Sequence, residues 1–190
     1  MGLEAKWNAP LMTPAQEQYR TAQDGKNPCG SDGGELRKRR SNLILLNKII
    51  SGGQTGADQQ GLIEGRRLKL ETGGWVPKGW RTEDGAAPWL ATFGCQEHPS
   101  SGYPPRTEAN VRDSEATLWF GNTGSPGFRC TYNAALKYHR AWFVNPDADL
   151  MRQIAEAYST INVAGNRVSK NPGVSDLVRV AFAWLEPKEI

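Results

Sequence analysis

The chain has 190 residues, 38% of them hydrophobic and 23% charged, the balance of a folded globular protein rather than a disordered or collagen-like one. No apolar run approaches the ~20 residues that cross a bilayer; the longest, Leu43–Leu46 resuming at Ile49 and Ile50, falls well short. Cys29, Cys95 and Cys130 are widely spaced, odd in number and without a CxxC pairing. This argues against a zinc ribbon or disulfide scaffold and makes a reducing cytoplasm the expected compartment. The formal charge is +3, from 23 Lys/Arg and 20 Asp/Glu. Residues 1–40 hold seven and five of these, so most of the excess lies ahead of the apolar segments.

Residues 1–42 read as a flexible N-terminal tail, punctuated by Pro10, Pro14, Pro28, Gly25, Gly30, Gly33 and Gly34. Its basic run Arg37–Arg40 reads as a solvated linker in preference to a nucleic-acid contact. From Leu43 the texture changes. Leu43–Ile50 is an apolar run of strand length, broken only at Asn47 and Lys48 and not alternating, as suits a strand buried on both faces of a parallel sheet. Asp58–Arg67 reads as a helix, acidic at its start and basic at its end. A short strand is expected at Thr72–Trp75, then a long Pro/Gly/Trp-rich connection from Val76 to Pro105. A short helix over Arg106–Ser114 would place Arg106, Asn110 and Asp113 on one face. Glu115–Phe120 is a strand ending in the turn Gly121–Gly124, and a helix covers Phe128–His139. Strand Ala141–Val144, helix Asp147–Tyr158 (capped by Asp147 or Asp149), strand Thr160–Ala164 and helix Val174–Trp184 complete the chain.

Alternating strands and helices imply an α/β fold: a Rossmann-like open parallel sheet with helices on both faces, in a single domain from 43 to 190. Ligands of such sheets bind beyond the carboxyl ends of the strands. Four strand ends combine glycine with polar residues: Ser51–Gly56, Gly73–Lys78, Gly121–Gly124 and Gly165–Arg167.

The segment Ser51-Gly52-Gly53-Gln54-Thr55-Gly56-Ala57-Asp58 joins strand to helix. Glycines allow close backbone approach, and a helix N-terminus offers free amides to an oxyanion. The loop lacks the Walker A lysine and the GxGxxG spacing, so it is neither of those motifs. Gln54 and Thr55 add side-chain donors, and Asp58 either caps the helix or holds a ligand hydroxyl. Lys78 and Arg81 are expected to neutralise the anion, and Trp75, Trp80 or Trp89 to stack on a planar ring. No spacing assembles a metal site or a catalytic constellation, and no GxSxG elbow exists. Asp58, Glu83 and Asp113 are the available acids. Cys130, near a helix start, reads as an inert thiol.

Four ordered stretches carry a resemblance: Ile49–Asp58, Gly73–Gly85, Arg106–Leu118 and Ile161–Arg167. Together they resemble the molybdenum carrier family, also described as the circularly permuted YpsA-type branch of the SLOG superfamily, over roughly Lys48 to the C-terminus. The resemblance implies a Rossmann-like fold, a molybdenum-cofactor, molybdate or nucleotide-derived ligand, and homo-oligomers, dimers or tetramers. It carries over Gly52, Gly53, Gln54, Thr55, Gly56 and Asp58, then Lys78, Arg81, Glu83 and Asp84, then Arg106, Asn110 and Asp113. More distant LOG-type phosphoribohydrolases use a PGGxGTxxE segment. The corresponding Gly124–Ala134 stretch lacks the double glycine and the acid. The expected function is therefore a cytoplasmic carrier of an anionic, nucleotide-like ligand with no protein-ligated metal. The alternatives are a nucleotide N-glycosidase and a nucleotide-sensing module; nucleic-acid binding and membrane association are not expected.

Overall fold

The computed structural model describes residues 44–187; the reading of 1–42 as a tail and the Arg37–Arg40 run lie outside them. The elements in order are β1 (Lys48–Ser51), α1 (Ala57–Arg67), β2 (Glu71–Val76), β3 (Arg81–Thr82) and β4 (Gly85–Ala86). A 3₁₀ segment (Pro88–Phe93), β5 (Cys95–Glu97), α2 (Tyr103–Arg112), β6 (Ala116–Phe120) and α3 (Pro126–Lys137) follow. Strand β7 (Ala141–Val144), α4 (Ala148–Ala157), β8 (Thr160–Gly165) and α5 (Val174–Phe182) end the fold.

Six strands form one sheet in the order β5-β2-β1-β8-β6-β7, every neighbouring pair parallel. This is the Rossmann-like α/β sheet expected from the alternation of elements. The last strand in sequence lies in the middle, with Ile49 opposite Ile161 on one side and Leu118 opposite Val163 on the other. All five residues of β6 are buried, as a continuous apolar run between covered faces requires.

Alternation along the strands separates the two faces. Leu118 and Phe120 of β6, Ile161 and Val163 of β8 and Ile49 of β1 join Met151 and Ile154 of α4 and Val174, Val178 and Phe182 of α5 in the main core. The buried positions of α5, Val174, Val178, Ala181 and Phe182, recur at i, i+4, i+7 and i+8 and give it one apolar stripe. Trp119 points to the other face, where it meets Phe128 of α3, and Val111 of α2 packs with Ala134 and Ala135 of α3.

Two expectations are corrected. The first strand begins at Lys48, not Leu43: the Leu45 and Leu46 amides both donate to the Ala155 carbonyl, so that stretch crosses the end of α4 outside the sheet. The Val76–Pro105 connection is not one long loop. It holds the β3–β4 hairpin, the 3₁₀ segment and edge strand β5, whose Cys95–Glu97 pair with Gly74–Val76. Ala87, Leu90 and Cys95 anchor it on Leu62 and Val76. Strands of two or three residues carry no readable periodicity, and pairing with a neighbouring strand is what defines them. Among the described residues no helix is long and apolar enough to cross a membrane.

Candidate functional site

Strand β1 leads through α1 to β2 on one side, β6 leads through α3 to β7 on the other, and β8 lies between them. Where neighbouring connections diverge, a crevice opens beyond the carboxyl ends of the strands. A cavity of about 280 Å³ occupies that place. Its walls come from Gln54 and Asp58 after β1, Arg106 and Asn110 on α2, Trp119 on β6, Cys130 on α3, and Asn162 and Arg167 in and after β8.

The loop after β1 is held tightly. Ser51 Oγ donates to the Val163 carbonyl at 2.7 Å, fixing the end of β1 to β8. Gly56 turns the chain at φ 85°, where a Cβ would press on the Asn166 carbonyl that accepts from the Ala57 amide. The Gln54 amide donates to Asp58 Oδ2 at 3.2 Å, and the Thr55 amide to Gln54 Oε1 at 3.1 Å. Three amides expected to receive an anion thus have partners within the protein. Asp58, in the first turn of α1, already supplies negative charge where the helix dipole favours it.

Asp58 is 4% exposed and accepts from Arg106 Nη1 at 3.3 Å. Burial pushes its carboxyl above the usual range, and the Arg106 charge, the Gln54 amide and the Gly165 amide oppose part of that rise. The Arg106 guanidinium lies directly over Gly52, in space that any side chain there would fill. It sits 5.7 Å from the Tyr103 ring centroid, and the Arg167 guanidinium lies 5.2 Å from the same ring. One aromatic ring therefore gathers two cations at the cavity.

Among the described residues, two donors here have no partner: Gln54 Nε2 and Arg106 Nε, both buried. Gln54 is 5% exposed, and its Oε1 is taken up by the Thr55 and Glu83 amides. A buried donor without an acceptor costs roughly 1–3 kcal/mol. The natural remedy is an acceptor in the adjoining cavity.

The other sequence candidates disperse. Asn110 lines the cavity but is also tied to Trp75, accepting its amide at 2.7 Å and donating to its carbonyl at 3.0 Å, which seats α2 on β2. Gly53 backs onto Val76 and Leu90. Thr55, Gly56, Glu83 and Asp84 line a separate open groove of about 510 Å³. Glu83 accepts from the Thr55 and Ser169 hydroxyls there; partial burial pushes its carboxyl up, but these bonds prevail and hold it below the ordinary value. Lys78 and Arg81 are exposed and line neither space. Asp113 caps the end of α2, pairs with Arg112 at 2.7 Å and accepts from Trp75 Nε1 at 2.8 Å, beside the amino ends of β1 and β8. Trp75, Trp80 and Trp89 are not in the cavity wall; Trp119 and Tyr103 are.

Sequence reasoning singled out neither Tyr103, Asn162 nor Arg167. Arg167 was signalled by its place two residues beyond Gly165, at a strand end. The Cys130 thiol is pushed up by burial, as an unreactive cysteine is. Among the described residues no group of His, Cys, Asp and Glu could hold a metal ion.

The family model for the circularly permutated YpsA SLOG family matches residues 49–185, a span that includes the whole cavity wall. The chain belongs to that family. Among solved structures the chain is similar to the "Putative molybdenum carrier protein" of Syntrophus aciditrophicus SB. It is 32% identical, with a TM-score of 0.65, and the likeness covers 74% of this chain and 94% of that one. No curated protein matches this member of the SLOG family.

Proposed function

We propose that this chain carries a small anionic ligand of the nucleotide or pterin type, with molybdenum cofactor and molybdate as the cargoes to test first. One observation carries the reading: Arg106, Arg167 and the unpartnered Gln54 Nε2 converge on a single cavity at the strand ends. Guanidinium groups favour oxyanions through paired donors, and Gln54 adds a neutral donor. At about 280 Å³ the cavity lies at the small end of ligand pockets. It suits an anionic head group or a ring, with the remainder of a larger ligand reaching the mouth. Molybdenum enters through the name of the solved relative. The role of the Gly52–Gly56 loop is then to shape this wall and present Gln54 and Asp58, with the guanidinium groups meeting the anion.

Isothermal titration and thermal shift with molybdate, molybdenum cofactor and a nucleotide panel test the proposal. Ligand at 100 times its Kd stabilises the fold by about 2.7 kcal/mol, a rise in Tm of several degrees. Arg106→Ala and Arg167→Ala are expected to weaken binding at least tenfold. No binding by any of these ligands would remove the reading.

Asp58 favours a second reading. A cavity carboxyl whose proton is held above the usual range can serve as a general acid, as a nucleotide N-glycosidase requires. Release of free base from nucleoside monophosphates, lost in Asp58→Asn, would establish it. The proposal also includes a cytoplasmic homo-oligomer. Leu177 and Val180 on the outer side of α5, with Trp184 just beyond its end, expose apolar surface that a second copy would cover.

A further inference from the structure

We propose that Glu83 is a positioning residue: from outside the cavity, its carboxylate ties the loop after β1 to the turn after β8 and so holds Gln54 and Arg167 in place around the ligand. This rests on the anion-carrier reading and deepens it, because it makes the β3–β4 hairpin a brace of the site.

The hairpin fixes where Glu83 stands. Arg81 and Thr82 pair with Ala86 and Gly85, so Glu83 and Asp84 form the two-residue turn between them. Thr82 Oγ1 closes that turn, accepting the Asp84 amide at 3.2 Å and donating to the Gly85 carbonyl at 2.9 Å. Glu83 borders the open groove and not the cavity, so a ligand in the cavity is held by other groups.

The backbone of Glu83 sets the orientation of Gln54. Its amide donates to Gln54 Oε1 at 2.8 Å, and the Thr55 amide donates to the same atom at 3.1 Å. Two N–H groups can converge only on the carboxamide oxygen, which leaves Nε2 as the unpartnered donor of a residue in the cavity wall. The carboxylate keeps the hairpin at this distance. Oε1 accepts from the Thr55 hydroxyl and, at 3.3 Å, from the Ser169 amide, and Oε2 accepts from the Ser169 hydroxyl. Ser169 stands inside the turn that Arg167 opens, where the Arg167 carbonyl accepts the Lys170 and Asn171 amides at 3.0 and 2.9 Å. One carboxylate thus joins the chain segments that carry Gln54 and Arg167, and binding groups are only as well placed as the hydrogen bonds that support them.

Charge alone predicts the opposite sign. The Glu83 carboxylate lies within electrostatic reach of Arg167, and beside an anion it would repel. Removing it tightens anion binding if its charge is what matters, and weakens binding if it is the brace.

The test titrates molybdate and inorganic phosphate into the full chain, Glu83→Ala and Glu83→Gln, well below their melting temperatures. Glu83→Ala is expected to bind at least tenfold more weakly than the wild type. Glu83→Gln keeps the oxygen for Thr55 and the Ser169 amide and donates to the Ser169 hydroxyl, so its affinity is expected within about threefold of the wild type. Unchanged or tighter binding in Glu83→Ala, or a Glu83→Gln as weak as Glu83→Ala, overturns the role. Hydrogen exchange without ligand gives a second readout. Protection of the Thr55 and Ser169 amides is expected to fall at least tenfold in Glu83→Ala relative to the amides of β1 and β8, and to return in Glu83→Gln. A loss spread evenly over the sheet, or none, overturns the brace. Should Glu83→Ala not fold, Ser169→Ala removes the bond to Oε2 at an exposed position, and unchanged affinity and protection there overturn it equally. Wild type that binds neither probe counts against the anion reading, while the exchange measurement still decides the brace.

Discussion

Asp58 on α1 and Glu83 in the β3–β4 turn both accept hydrogen bonds from the loop after β1, yet their surroundings displace them in opposite directions. Burial dominates for Asp58 and raises it; hydroxyl donors from Thr55 and Ser169 outweigh burial for Glu83 and lower it. The signs make opposite predictions for stability. A raised carboxyl contributes stability below the ordinary range of about pH 4, and this is lost as pH rises through its native value. Asp58→Asn is therefore expected to gain on the wild type as pH increases from about 4 to 8. The lowered Glu83 contributes above that range and loses its contribution on acidification, so the deficit of Glu83→Gln shrinks below about pH 4. Thermal melts of the three proteins across this span decide both. Gly52 belongs to the same scale. A methyl there would enter the space of the Arg106 guanidinium and press on Asp58. Gly52→Ala is expected to cost about 1–3 kcal/mol by overpacking and to lose anion binding together with the ion pair. Unchanged affinity in calorimetry would show that the position of Arg106 does not matter.

Among the elements, legibility followed length. The helix caps illustrate what local chemistry can specify: Asp147, one of two residues expected to cap α4, accepts the Leu150 amide at 2.8 Å. Asp147→Ala is expected to cost about 1 kcal/mol in denaturant unfolding, because the first turn loses that acceptor. Asp58 shows the limit of the same reasoning. Its spacing allowed either a cap or a ligand contact, but α1 has Gly56 as its cap without a side-chain bond, and Asp58 turns back to the Gln54 amide and Arg106. The short helix expected at Arg106 begins at Tyr103, with prolines in its first turn as that position tolerates. Those three extra residues matter, because Tyr103 is the ring on which both arginines gather.

At the scale of the molecule, the parallel sheet decides which strand ends meet. Its order brings the ends of β1, β8 and β6 together and leaves β2, which precedes Lys78 and Arg81, to one side. Both cations were expected at the anion because their motif carries charge next to glycine. They stand on the surface because the β3–β4 hairpin and β5 carry their segment along the edge of the sheet. The proposed homo-oligomer would use the outer side of α5. Val180 is 65% and Trp184 67% exposed, and light scattering is expected to show a homo-oligomer in the wild type and a smaller species in Val180→Asp. An unchanged mass would remove this face from the interface.

Composition and period were sufficient for the architecture. Uniform apolar runs punctuated by glycine and separated by amphipathic segments have few packed solutions other than a covered parallel sheet. They also brought Gln54, Asp58, Arg106 and Asn110 forward as candidates, because each stands in a polar segment flanking a strand. Only the tertiary structure decided which of them share a cavity, that Arg167 joins them, and that the loop amides are already occupied. Proximity across a sheet depends on strand order, and the donors of a loop can be satisfied by partners far away in the chain. Neither leaves a local pattern in the sequence.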